Sequence, residues 1–292
     1  MKNIVSTEEL ASQLADPNLV LVDATVFFND PEGDFLRSGK DQYAAKHLPG
    51  AVFYDQLAEA ASHDPIPFQV TAHEPFVKNM EDLGIAEDSQ VVIYDSGAQV
   101  GADFTANMWA ARLAWQLAYE GFPEQQIAIL EGGLNKWERE GRALTEEIPE
   151  SKQGQLSLQR REDLLADLTE VEAAVEDPSV VILDSLPKAQ YEGEFAGFGD
   201  DRVGHIPSAV NVFFGSLSDP ETGALLTEKD LRQVFADFAV LDPDKRVITY
   251  CGFGIAACWL RAVLNYLGQD QVAMYDGSLM EWATQTDKPL EV

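Results

Sequence analysis

The chain has 292 residues, 46% of them hydrophobic, and a mean hydropathy of −0.16, values that describe a soluble globular protein rather than a disordered or membrane-embedded one. Its 50 acidic side chains against 20 basic ones give a formal net charge of −30, which repels nucleic acid and anionic membrane and is compatible with a salt-rich habitat. No apolar run approaches the roughly 20 residues that span a bilayer, so the expected location is the cytoplasm.

From the N-terminus, MKNIVSTEELASQL lacks a secretory signal core and reads as a helix capped by Ser6 or Thr7, with Glu8 and Glu9 in its first turn. Short β-branched runs follow at 19–22, 91–94 and 127–130, and again at 180–183, 247–250 and 272–275. Between them lie helical patterns at 75–83, 104–118, 229–238 and 256–267. The alternation predicts an α/β fold in which a mostly parallel sheet carries helices on both faces.

The chain also repeats itself. Asp16-Pro17 through Asp23 matches Asp177-Pro178 through Asp184, and His47-Leu48-Pro49 matches His205-Ile206-Pro207. The run ending in Tyr94-Asp95 matches the one ending in Tyr250-Cys251, and Glu131-Gly132-Gly133-Leu134 with Trp137 matches Asp276-Gly277-Ser278-Leu279 with Trp282. Four matches in one order predict two copies of one domain, at 1–145 and 166–292, joined by a polar linker at 146–165.

The sharpest chemical signal is VITYCGFGIAACWL, where an apolar strand ends in Cys251 and a glycine-bearing loop runs into a helix. A sulfur there faces the N–H groups that a helix start leaves unpaired and the positive end of the helix dipole, both of which favour a thiolate. The N–H groups of Gly252, Phe253, Gly254, Ile255 and Ala256 would then cradle an anionic sulfur as an oxyanion hole does. Asp95 takes the cysteine's place in the first copy, so thiol chemistry is expected from the second copy alone. The stretch from Asp95 to Gly132 is also eleven residues longer than that from Cys251 to Gly277, which predicts that the compact loop is missing there. Cys258, seven residues after Cys251, is two helical turns away and is expected in the core rather than in a disulfide.

These residues resemble the rhodanese superfamily, specifically its tandem-domain sulfurtransferases acting on thiosulfate or 3-mercaptopyruvate. The resemblance rests on Gly204-His205-Ile206-Pro207 with Ala209 and Asn211, the loop CGFGIAAC, and Tyr275-Asp276-Gly277-Ser278 with Trp282, and it covers nearly the whole chain. It implies a silent first domain and a second domain whose cysteine, Cys251, accepts a sulfane sulfur as a persulfide. That sulfur then passes to cyanide or a thiol, a protein thiol included, without metal or organic cofactor.

The departures from the family concern the donor. Its mercaptopyruvate enzymes have a serine at the position of Phe253, and their histidine and aspartate helpers fall on or near Phe68 and Leu57. The basic residues that flank the cysteine in thiosulfate enzymes are replaced by Gly252 and Phe253. Family arginines fall on Gln190 and Phe198, and Leu186 stands where another often follows the Asp-Ser pair, leaving Lys188 and Arg202 as nearby cations. Lys188, Gln190 and Arg202 are therefore the substrate-binding candidates, and a pocket lined by Phe253 and Ile255 is expected to favour a bulky, less charged persulfide donor or a protein thiol.

Other readings are weaker. A phosphatase of this fold needs a loop arginine to grip phosphate, and Ala257 stands in its place. His47 and His205 share one repeat position and are expected to be structural, whereas His63 and His73 lie in an irregular first-domain segment and form no metal cluster with a cysteine. A non-enzymatic persulfide carrier or binding module is the alternative to an enzyme.

Overall fold

The computed structural model describes residues 2–28, 36–59, 66–97, 104–150, 152–195 and 202–292. The chain divides into two compact units, one of Met1–Ala61, Val70–Arg161 and Ser218–Leu225, the other of Ser62–Gln69, Glu162–Leu217 and Leu226–Val292. Each unit thus contains a short segment from the other repeat. His63 and Phe198 lie outside the described residues.

The strands of the first unit are β1 (Ile4–Val5), β2 (Leu19–Asp23), β3 (Val26–Phe28), β4 (Leu36–Ser38), β5 (Ala51–Phe53), β6 (Gln90–Tyr94) and β7 (Ile127–Leu130). A parallel sheet of order β1-β7-β6-β2-β5 forms its centre, and β3 and β4 pair as an antiparallel ribbon. The second unit has β8 (Leu165–Ala166), β9 (Val180–Asp184), β10 (Val210–Asn211), β11 (Arg246–Tyr250) and β12 (Val272–Tyr275), in the order β10-β9-β11-β12-β8. Read from β8, this is the order of the first sheet, and the register agrees as well: Asp23 lies opposite Tyr94, and Asp184 opposite Tyr250. Helices cover both faces of such a sheet, so its central strands are almost wholly buried and apolar, as in QVVIY of β6, IAIL of β7 and VAMY of β12.

The helices begin where capping chemistry places them. Ser6 caps Thr7–Gln13 with a reciprocal Ser6–Glu9 capping box. His73, expected in an irregular segment, instead opens the helix His73–Asp82, and its Nδ1 contacts the fully buried Glu120 carboxylate. The proline at position 75 stays in the first turn, where its missing N–H costs no hydrogen bond. The polar stretch before β8 is fastened to the first unit: Arg160 donates from Nε and Nη2 to the two Glu120 oxygens, each at 2.9 Å.

Both units carry one buried polar assembly. Asp23 and Asp184 end equivalent strands beside Tyr94 and Tyr250, whose hydroxyls accept from the Leu48 N–H at 3.3 Å and the Ile206 N–H at 3.2 Å. His47 stacks on Tyr43 and His205 on Tyr191, at centroid distances of 4.1 and 3.6 Å. The two Nδ1–H groups donate to the Tyr43 and Tyr191 carbonyls at 2.7 and 2.8 Å, and the two tyrosine hydroxyls donate to the Ala51 and Ala209 carbonyls, both at 2.7 Å. Because the unit without a cysteine has the whole assembly too, its work is structural.

Burial raises Asp23 and Asp184 from 3.8 to about 6, against the pull of the Thr25 and Tyr94 hydroxyls on Asp23, and of the Tyr250 hydroxyl and Leu186 N–H on Asp184. The folded state therefore binds more protons than the unfolded chain between about pH 4 and 6, and stability falls as pH rises through that window. Each carboxyl contributes up to about 3 kcal/mol to the fall. Asp23→Asn and Asp184→Asn should each flatten the slope measured by urea unfolding at pH 4.5 and 7, and a wild-type slope in both variants would contradict this account.

Candidate active site

In a doubly wound sheet the crevice opens at the carboxyl ends of the strands where the winding reverses. In the second unit the chain passes from β9 to β10 on one side, then returns to β11 and β12 on the other, so the reversal lies between β9 and β11. Cys251 is the first residue beyond β11 and is 3% exposed.

Five hydrogen bonds fix the backbone around it. The Cys251 N–H donates to Ser278 Oγ at 3.2 Å, and that hydroxyl donates to the Tyr275 carbonyl at 2.8 Å. The Cys251 and Gly252 carbonyls accept from Leu279 and Met280 N–H at 3.0 and 3.1 Å. From the loop after β9, Ser185 donates through both N–H and Oγ to the Tyr250 carbonyl, at 3.0 and 2.8 Å. Ser278 holds φ +52, a left-handed conformation strained for any residue with a Cβ. Neither serine's role was apparent in the sequence: Ser278 matched Gly133 of the first repeat, but only its backbone conformation brings its hydroxyl to the cysteine.

Gly254 turns the loop at φ +76, and the helix Ala256–Tyr266 starts two residues later with no side-chain cap. Cys258 lies in its first turn, 1% exposed, and its thiol donates to the Gly254 carbonyl at 3.2 Å. Both cysteines are free thiols.

The first unit shows what this geometry holds when no cysteine is present. Asp95 follows β6 as Cys251 follows β11, and its carboxylate is fully enclosed by donors. Oδ1 accepts from Gly97 N–H at 2.7 Å and Asn107 Nδ2 at 2.8 Å, and Oδ2 accepts from the Trp109 and Ala110 N–H groups at 3.1 and 3.0 Å. The last two donors open the helix Met108–Tyr119, so Asp95 is that helix's cap. Burial raises the Asp95 carboxyl, and the Ala110, Asn107, Gly97 and Trp109 donors oppose the rise.

The substrate-binding candidates fall in three different settings. Lys188 is exposed and ion-paired with Glu192. Arg202 donates to the Ala283 carbonyl at 3.0 Å, to the Gln285 carbonyl at 2.8 Å and to the Lys288 carbonyl, and so caps the end of the helix Ser278–Thr284. Gln190 is 6% exposed, and its Nε2 has no hydrogen-bond partner among the described residues. Leu57 belongs to the first unit, whereas Phe68 belongs to the second, where its ring meets that of Phe253 edge to face with centroids 6.2 Å apart. Phe68 has φ +65, a conformation that costs a bulky residue about 1–3 kcal/mol. A groove of about 470 Å³ lies in the first unit, lined in part by Tyr43, Phe53 and Ile148. We give it no chemical role, because Asp55 and Asp82 at its edge are engaged by Ser38 and Lys78. Among the described residues no group of three or more His, Cys, Asp or Glu side chains is placed to hold a metal ion, and no helix is long and apolar enough to cross a membrane.

Comparison with known proteins agrees with this geometry. The model of the rhodanese-like domain matches twice, at residues 6–140 and 167–285. The 3-mercaptopyruvate sulfurtransferase of Escherichia coli K12 is 30% identical over 98% of this chain and 97% of its own length. A sulfur carrier protein of Thermus thermophilus is 28% identical over 98% of this chain and 95% of its own. The crystal structure of the Escherichia coli 3-mercaptopyruvate enzyme superposes with a TM-score of 0.79, covering 95% of this chain and 99% of that one at 29% identity. The chain therefore belongs to the rhodanese family and carries the family's domain twice.

Proposed function

We propose that this sulfurtransferase carries the transferred sulfur on Cys251, with the backbone N–H groups of Gly252, Phe253, Gly254, Ile255 and Ala256 as the cradle. The observation that carries the reading is the exchange at one repeat position. Where the first unit buries a carboxylate against the N–H groups of a helix start, the second places a thiol before a helix with no side-chain cap. An anionic sulfur there would receive the stabilisation that Asp95 receives in the first unit.

In the first half-reaction the Cys251 thiolate attacks the donor's sulfane sulfur. A new S–S bond forms, the donor's bond to that sulfur breaks, and its electron pair leaves with the donor. In the second, a thiol or cyanide attacks the outer sulfur and Cys251 leaves as thiolate. Electrons balance without an external oxidant or reductant. Ser278 and Ser185 act as positioning residues, holding the amide and carbonyl of the Tyr250–Cys251 peptide. Gln190 offers an unpaired amide to a bound donor, whereas Lys188 and Arg202 are committed to other partners. A reducing compartment such as the cytoplasm keeps both cysteines available as thiols.

A persulfide carrier serving one protein partner is the second reading, favoured by the apolar Phe253 in the loop. It predicts stable loading with little turnover on small acceptors.

Intact-mass spectrometry after incubation with a sulfane donor tests Cys251. Wild type and Cys258→Ala should gain one sulfur, about 32 Da, and Cys251→Ser should gain none. A gain on Cys251→Ser, or none on wild type with thiosulfate, 3-mercaptopyruvate and glutathione persulfide alike, would overturn the assignment. Ser278→Ala leaves the buried Cys251 amide without its acceptor, so loading should slow about tenfold in a time course of the same mass gain.

A further inference from the structure

In a trans peptide the carbonyl and the following N–H point in opposite directions, so whatever holds a loop's carbonyls also aims its N–H groups. Four carbonyls of the loop after β11 are held. Leu279 and Met280 N–H donate to the Cys251 and Gly252 carbonyls at 3.0 and 3.1 Å, and the Cys258 N–H donates to the Ile255 carbonyl at 3.1 Å. The Gly254 carbonyl is held by a side chain, the Cys258 thiol, at 3.2 Å. The N–H groups of Gly252, Phe253, Ile255 and Ala256 are thereby turned to the other side of their peptides. Gly252, Ile255 and Ala256 are buried, and their N–H groups donate to no acceptor among the described residues. Buried N–H groups without an acceptor are rare in proteins and call for one.

The peptide that Cys258 holds is the one most able to move. Gly254 sits at φ +76, two residues before the helix Ala256–Tyr266 begins, and a glycine peptide there is free to swing and take the Ile255 N–H with it. Building on Cys251 as the sulfur-bearing residue, we propose that Cys258 is a positioning residue for sulfur transfer: its thiol pins the Gly254 carbonyl and so aims the Ile255 N–H at the anionic sulfur on Cys251. An amide aimed at that sulfur favours the thiolate, and losing it raises the pH at which the thiolate forms. Cys258 bonds to no sulfur in either half-reaction; it acts through the Gly254–Ile255 peptide alone.

Three variants separate the donor from the packing. Cys258→Ser keeps a donor, Cys258→Val keeps the volume without one, and Cys258→Ala removes both. Alkylation by iodoacetamide, in which the Cys251 thiolate displaces iodide, is followed by mass across pH and located at Cys251 by fragmentation. The titratable side chains on the elements beside the loop, Asp184, Tyr250, Tyr275, Asp276 and Glu281, are common to all four proteins. In Cys258→Val and Cys258→Ala the half-maximal rate should move up by about half to one pH unit with no fall in the plateau, while Cys258→Ser should keep the wild-type profile. An unshifted profile in Cys258→Val and Cys258→Ala, with or without a lower plateau, or an equal shift in Cys258→Ser, would overturn the positioning role while leaving Cys251 as sulfur carrier. No sulfur gain on wild type from thiosulfate, 3-mercaptopyruvate or glutathione persulfide would overturn the Cys251 reading, and the positioning role with it.

Discussion

The structure of the first unit's crevice depends on one constraint: the helix Met108–Tyr119 starts so that its first N–H groups point at the residue just beyond β6, and those donors require an anion. In the first unit the anion is covalently built in, because the Asp95 carboxylate takes two helix-start amides together with Gly97 N–H and Asn107. A permanently occupied cradle has nothing left to offer a substrate. In the second unit the same strand end presents Cys251, a group that can lose a proton, accept a sulfur and give it up again. The two repeats thus place different chemistry, a carboxylate and a thiol, at one strand-end position.

The strand ends are held by groups that both units share. The stacked His–Tyr pairs and the Asp–Tyr pairs at equivalent strand ends occur in both units, which assigns them to holding the strand ends in register. A buried polar network of this kind helps to specify one arrangement of the strand ends, and so places the loop after β11. Each unit also includes a segment from the other repeat. In the first, Arg139 donates to the Glu221 and Thr222 carbonyls, and the Leu225 N–H donates to Glu131; in the second, Phe68 meets Phe253.

Much of this was legible in the sequence, for identifiable reasons. Strands buried on both faces must be continuous β-branched runs, so the central strands β2, β6, β7, β9, β11 and β12 stood out, whereas two- and three-residue strands such as β1, β5, β8 and β10 are too short to show a period. The helix expected from residue 104 begins at Met108 because the preceding residues serve the Asp95 cradle, where Asn107 bridges Asp95 and the Gly132 N–H. The proposed nucleophile stands out because its signal is local: strand, cysteine, glycine loop, helix. Ser278 and the Phe68–Phe253 contact were not, since one depends on a left-handed backbone and the other on residues far apart in the chain. Sequence also shows charges without their partners, and Lys188 and Arg202 could be weighed only once Glu192 and the carbonyls around Ala283 were seen beside them.

The central claim is that the loop of the second unit holds an anionic sulfur as the first unit holds Asp95. The most direct test is a crystal structure of the protein after loading with a sulfane donor. The account predicts an extra sulfur atom bonded to Cys251 Sγ, within hydrogen-bonding reach of the backbone N–H groups between Gly252 and Ala256, with Asp95 and its donors unchanged. Extra sulfur on Cys258, or a persulfide on Cys251 turned away from those N–H groups, would contradict it.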